Sequence, residues 1–195
     1  MPSVYDLKPR FQGILRPLVN RLAAIGVTAN QVTVGTCVVS VALGLELTYG
    51  SRRWLLLPVW LFLRMALNAI DGMLAREYNQ ASRLGALLNE LTDVIADAAL
   101  LLPFAFLPGW NPVIVGAVVV LSGVTEMTSL AGQTLTGVRR NDGPMGKSDR
   151  ALVQGVVATW VGLGRQAHEV IAPLMALLLV ATVYNRARHI LAKEE

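Results

Sequence analysis

The sequence predicts an all-α fold: a polytopic membrane protein of six transmembrane helices behind an N-terminal juxtamembrane amphipathic helix, in one domain spanning residues 1–195. Three observations carry that expectation. Hydrophobic residues make up 54% of the chain and charged residues only 15%, where soluble domains carry about a quarter charged. Six apolar runs approach or exceed the roughly 20 residues that a helix needs to cross the hydrocarbon layer. Lysine and arginine collect in alternate connections between those runs, the pattern left when one set of loops stays in the cytoplasm.

Taken in order, residues 4–25 set Leu7, Phe11, Ile14, Leu15, Leu18 and Leu22 against Lys8, Arg10, Arg16 and Arg21, which suits a helix lying in the membrane interface. A soluble amphipathic helix has the same pattern, but here an apolar span follows at once. Spans are expected near 31–49, 54–77, 84–107, 112–136, 149–164 and 167–188; the second contains Arg64 and the fifth is short. Trp54, Trp110 and Trp160 fall near span ends, where the indole is favoured, and His168 and His189 do the same without metal-ligand neighbours in sequence.

With the N-terminus inside, the inner segments hold Lys8, Arg10, Arg16, Arg21, Arg76, Arg83, Arg139, Arg140, Lys147, Arg150, Arg186, Arg188 and Lys193, and the outer loops only Arg52, Arg53 and Arg165. Both termini, the 76–83 connection and the loop N-D-G-P-M-G-K-S-D-R at 141–150 are therefore expected on the cytoplasmic side. The single Cys37 can close no intrachain disulfide, and the first ten residues lack the apolar core of a cleaved signal peptide. Nucleic-acid binding is not expected, because the cations flank spans and form no solvated stripe.

The chemistry concentrates between Asn68 and Asp93. Asn68, Asp71, Gly72 and Ala75 follow one another at i, i+3, i+4 and i+7, and Gly85, Asn89 and Asp93 at i, i+4 and i+8, so each set shares one helix face. The connection between Arg76 and Gly85 permits a tight reversal that brings the faces together. Oxygen donors without histidine or thiolate suit a hard cation such as Mg²⁺, Mn²⁺ or Ca²⁺ rather than zinc. Arg76 offers a planar fork to phosphate, and the small residues leave room for close approach. Other readings remain open on the residues alone. Small residues four apart also mark close helix packing, and Asp71 and Asp93 can pair with Arg64 or Arg76 or mark an ion pathway.

The run Asp71-Gly72-x2-Ala75-Arg76-x8-Gly85-x3-Asn89-x3-Asp93 resembles the signature of the CDP-alcohol phosphatidyltransferases, D-x2-D-G-x2-A-R-x8-G-x3-D-x3-D, with the same spacing at every step. The segment G-V-T-A-N-Q-V-T is similar to the family's T-P-N-x-x-T at the first span, with Ala29 for proline, and G-K-S-D-R resembles bacterial members. The resemblance implies metal-dependent transfer of a phosphatidyl or related phospho-alcohol group from a CDP-activated lipid such as CDP-diacylglycerol to an acceptor alcohol or polyol phosphate. CMP is released, in phospholipid biosynthesis at a bacterial inner membrane. It further implies Asn68, Asp71, Asn89 and Asp93 as ligands to one or two Mg²⁺ or Mn²⁺ ions, Asp93 as the general base, and Gly72, Ala75, Arg76 and Gly85 as the nucleotide site. A homodimer packed through membrane helices is a family habit.

Two signature aspartates are asparagine here, at 68 and 89. Two divalent ions carry four positive charges, and Asp71 with Asp93 cancels half, so substrate-free protein is expected to hold at most one ion tightly. Asp97 and Glu126 are other possible sources of negative charge. Loss of two carboxylates also admits a degenerate member that binds nucleotide or lipid without turnover. A transporter is the weaker alternative, as no internal repeat is evident. On the acceptor side Arg139, Lys147 and Arg150, with Arg140, form a basic cluster fit either for a phosphorylated polyol or for topology signalling alone.

Overall fold

A computed structural model of the protein describes residues 4–49 and 51–192; Lys193, counted above among the inner cations, lies outside them, as do the side chains of Leu7, Lys8, Arg10 and Arg52. Every regular element among the described residues is helical. The α-helices are α1 (Val4–Ala24), α2 (Ala29–Leu47), α3 (Leu56–Glu77), α4 (Arg83–Leu101), α5 (Pro112–Thr136), α6 (Lys147–Gly162) and α7 (Ile171–Leu191), with 3₁₀ turns at Ser51–Leu55 and Leu102–Phe106. Three segments, Ala29–Leu47, Arg53–Glu77 and Pro112–Thr136, are long and apolar enough to cross a membrane by length and composition.

Local chemistry sets the ends. Gly26 takes a left-handed turn at φ +79°, and Thr28 then opens α2 with a capping box in which its hydroxyl accepts from Gln31 N–H while Gln31 Oε1 accepts from Thr28 N–H. Asn79 adopts φ 53° and turns the chain between α3 and α4, and Ser82 caps α4 through Gly85 N–H at 3.0 Å. Pro112 opens α5 at a position where its missing N–H costs nothing, behind the Asn111 cap. Gly137, at φ 71°, closes the same helix. Pro103 explains why α4 stops short of the expected residue 107: a proline there removes a helical hydrogen bond, and the chain continues as 3₁₀.

The bundle has a greasy end and a polar end. At the first, Trp54, Leu57, Leu100, Phe104 and Trp110 pack into a buried cluster, with Trp54 edge-on to Phe104 at 4.7 Å between ring centres. Trp54 and Trp110 are therefore core residues and not boundary-facing, because the 3₁₀ turns fold them back over the helix ends; Trp160 stays half-exposed. Outward faces carry Val38, Phe62, Leu87, Val120 and Leu177, which suits contact with lipid chains.

At the polar end Arg16 pairs with Glu77 at 2.9 Å, Tyr78 donates to Asn20 and Gln80 Oε1 accepts from Ala29 N–H, tying α1 and α2 to the α3–α4 reversal. The long connection to α6 and the end of α7 meet there too, through Asp142, Asn185 and His189.

Helices α2 and α4 approach closely at Gly44. A Cβ added at Gly44 would stand 2.2 Å from the Ala99 carbonyl oxygen, a backbone atom that cannot rotate away. Gly44→Ala should force the two helices apart and cost at least about 1–3 kcal/mol, read as a lowered thermal midpoint in detergent. A variant as stable as the parent would contradict this packing.

Candidate active site

Asn68, Asp71, Gly72, Ala75 and Arg76 from α3 and Gly85 and Asn89 from α4 line one open cavity of about 800 Å³ at the polar end. Asn30 and Thr33 from α2, Gln133 at the end of α5, and Glu90 with Arg139 complete the wall. The two helix faces expected from spacing thus confront each other across a single space. A Cβ at Gly85 would lie 2.8 Å from Asn30 Oδ1 and 3.1 Å from Ser82 Oγ, so a larger residue there would push the Asn30 side chain aside. At Gly72 a Cβ would lie 3.1 Å from both terminal nitrogens of Arg76, so the glycine lets that guanidinium fold back along its own helix.

Asp71 is buried, and its Oδ2 accepts a hydrogen bond from Thr33 at 2.9 Å. This fixes the carboxylate in a cavity wall that also holds Asn68 and Asn89. Asp93 is placed differently. It is absent from the cavity wall; its Oδ1 accepts from Arg64 at 3.1 Å, with Asn68 Nδ2 at 3.5 Å, and its Oδ2 lies 2.6 Å from Lys147 Nζ. Among the described residues no group of three or more His, Cys, Asp or Glu side chains converges as a metal cluster. The donor set, one fixed carboxylate with two asparagines on the same wall, suits one hard divalent ion and offers too little charge for two.

Behind the cavity runs an ionic network. Arg64, buried in α3, pairs with Asp97 as well as Asp93, and Arg150, only 1% exposed, reaches Asp97 at 2.9 Å and Glu126 at 3.0 Å and donates to Thr125. Arg139 forms a two-pronged pair with Glu90, its Nη2–Oε2 distance 3.0 Å, and lies 3.7 Å from Glu126. The hydrogen bonds to Glu90 hold the Arg139 guanidinium above its ordinary range. Asp97 and Glu126 therefore spend their charge on arginines.

The connection that carries Arg139 and Lys147 is itself anchored. Buried Arg186 donates to the carbonyls of Thr125, Asn141 and Asp142 and to Ser129, and Met145 N–H donates to Thr182. His189 Nδ1 stands 2.6 Å from Asp142 Oδ2. Burial pushes the Asp142 carboxyl up, but the hydrogen bond with His189, one to its own backbone N–H and the nearby charges of His189 and Arg140 together hold it below the usual carboxylate range. The sequence reading saw His189 only as a boundary residue.

It also missed Thr33, Glu90 and the extent of the network. A signal existed. Glu90, Asp93 and Asp97 recur at three and four residues, as Arg64 and Asn68 do at four, so α4 presents a carboxylate stripe to a cation on α3.

The family model for CDP-alcohol phosphatidyltransferase matches residues 26–184. The inner membrane protein YnbA of Escherichia coli (strain K12) is 45% identical over 194 residues, covering 97% of this chain and 96% of its own. Among solved structures, Mycobacterium tuberculosis phosphatidylinositol phosphate synthase (PgsA1) has the same fold. Its complex with manganese and citrate superposes at a TM-score of 0.72 with 21% identity, over 89% of this chain and 87% of that one. Its form with CDP-DAG bound gives 0.68 with 22% identity, over 88% and 89%. The signature spacing, the helical bundle and the near full-length likeness to an inner membrane protein agree: this is a membrane protein, and it belongs to the CDP-alcohol phosphatidyltransferase family.

Proposed function

We propose that the protein transfers a phosphatidyl group, or a related phospho-alcohol, from a CDP-activated lipid to the hydroxyl of an acceptor alcohol. The observation that carries the reading is the shared wall: Asn68, Asp71, Asn89, Arg76 and Gly85 meet around one cavity, at the spacing of the family signature. That a solved relative holds CDP-DAG, and in another crystal manganese, supports a CDP-lipid donor and a divalent ion, Mg²⁺ or Mn²⁺.

In this scheme the acceptor oxygen forms a bond to the lipid-linked phosphorus, the bridging P–O bond to CMP breaks, and the hydroxyl proton goes to Asp93 and on to solvent. Gly72, Ala75, Arg76 and Gly85 take the nucleotide, with Arg76 forked onto the diphosphate. Asp71, oriented by Thr33, holds the ion with help from Asn68, Asn89 and Asp93. A bound divalent ion supplies charge stabilisation for the diphosphate and the leaving CMP. Asp93 acts as base only after Lys147 yields Oδ2, so arrival of the acceptor and release of that ammonium are one event. Arg139, Lys147 and Arg150 border the acceptor side. All of α2–α7 are read as spans of one domain, 1–195, with the termini and cavity on the cytoplasmic face of a bacterial inner membrane.

A second reading, nucleotide or lipid binding without turnover, draws on the engagement of Asp93 by two cations. One assay separates them. Purified protein with CDP-diacylglycerol and Mg²⁺ or Mn²⁺ should release CMP only when both metal and an acceptor alcohol are present; nucleotide binding without CMP under every condition would select the second reading. Calorimetry with Mn²⁺ gives an independent expectation. Substrate-free protein should bind one ion tightly and Asp71→Asn none, and two tight ions in the parent would refute the charge argument.

A further inference from the structure

Resting on the transferase reading, we infer that the acceptor is an uncharged polyol and that phosphorylated acceptors are excluded. The two sides of the site differ in charge. On the nucleotide side Arg76 lines the cavity with no carboxylate at ion-pair distance among the described residues. On the acceptor side Arg139 is the one member of the basic cluster on the cavity wall, and it is already matched by Glu90; Lys147 is matched by Asp93 and Arg150 by Asp97 and Glu126, while Arg140 lies off that wall.

A phosphate ester carries about −1.5 to −2 charges at neutral pH. To be held here it would have to strip a carboxylate from its partner and then sit beside that carboxylate, with Glu90 on the same cavity wall. Arg150 cannot turn outward to help, being buried and bonded on two sides. An uncharged polyol meets no such opposition. Its hydroxyls can donate to Glu90 and accept from Arg139 without breaking the pair, and one of them reaches Asp93 as Lys147 leaves. Its proton is then lost to Asp93 as the new ester O–P bond forms and CMP departs. Glu90 is thus a specificity-determining residue.

The test has two arms. In turnover with CDP-diacylglycerol and Mn²⁺, glycerol or myo-inositol should release CMP at least about tenfold faster than sn-glycerol 3-phosphate or inositol phosphate at equal concentration and ionic strength. The reverse order overturns the inference. Absence of CMP with every acceptor counts against the transferase reading, and the binding arm then decides alone. There, metal-free detergent-solubilised protein is titrated with sn-glycerol 3-phosphate and followed by thermal shift. The parent should show none in the millimolar range, and Glu90→Gln, which leaves Arg139 only its longer contact with Glu126 at 3.7 Å, should gain at least about tenfold in affinity. Stabilisation of the parent by the phosphate ester, or no gain in the variant, overturns the proposal.

Discussion

Asp93→Asn should lower CMP release by about 10² to 10⁴-fold, the span expected when a general base is lost, with nucleotide binding kept. The substitution preserves shape and both oxygen-side contacts in part. Arg64 can still donate to the amide oxygen, whereas the amide nitrogen must now face Lys147 Nζ, which lies 2.6 Å from Asp93 Oδ2. Two results have to be read together: steady-state turnover, and binding of CDP by calorimetry. Full turnover in the variant would remove the base assignment, and lost CDP binding with lost turnover would make Asp93 a structural anchor for Arg64 and Lys147. The same position thus separates the chemical role from the electrostatic one.

Arg150→Ala should be the most damaging single change to stability, costing about 3–5 kcal/mol, the usual penalty for removing one partner of a buried ion pair. Arg150 joins Asp97 of α4 to Glu126 of α5 from its own helix α6, and its guanidinium is almost wholly enclosed. Deleting it leaves Glu126 facing a cavity with only the longer contact to Arg139 at 3.7 Å, while Asp97 keeps Arg64. Unfolding in detergent should show the loss, and Glu126→Gln added to the alanine variant should restore part of it, since an amide tolerates the vacated space better than a carboxylate. A stability within about 0.5 kcal/mol of the parent, ordinary for a surface substitution, would show that the network does not hold the helices together.

How much of this was readable in the chain differs by residue. The limits of α5 follow from sequence because Asn111-Pro112 and Gly137 mark both ends chemically. For α4 the hydropathy ran on through Leu107 and masked the break at Pro103. The α3 and α4 faces followed from spacing alone, since helical period fixes which residues share a side. What spacing cannot supply is the third dimension of charge. Asp93 and Asp71 look equivalent in sequence, yet one meets Thr33 and the cavity and the other meets Arg64 and a lysine 54 positions later. Trp54 and Trp110 show the same limit: an indole near a span end is as well served by a neighbouring helix end as by headgroups, and only tertiary packing decides.

The arginine inside α3 has a consequence for biogenesis. An arginine at the centre of an isolated span costs about 2.5–3.5 kcal/mol on insertion. Its carboxylate partners, Asp93 and Asp97, both belong to α4, the very next helix to leave the ribosome. On the proposed reading of α4 as a span, the two segments have reason to enter the bilayer as a pair, with their opposite charges joined. Arg150, made later, joins the Asp97 and Glu126 of helices already synthesised, so the network closes only with α6.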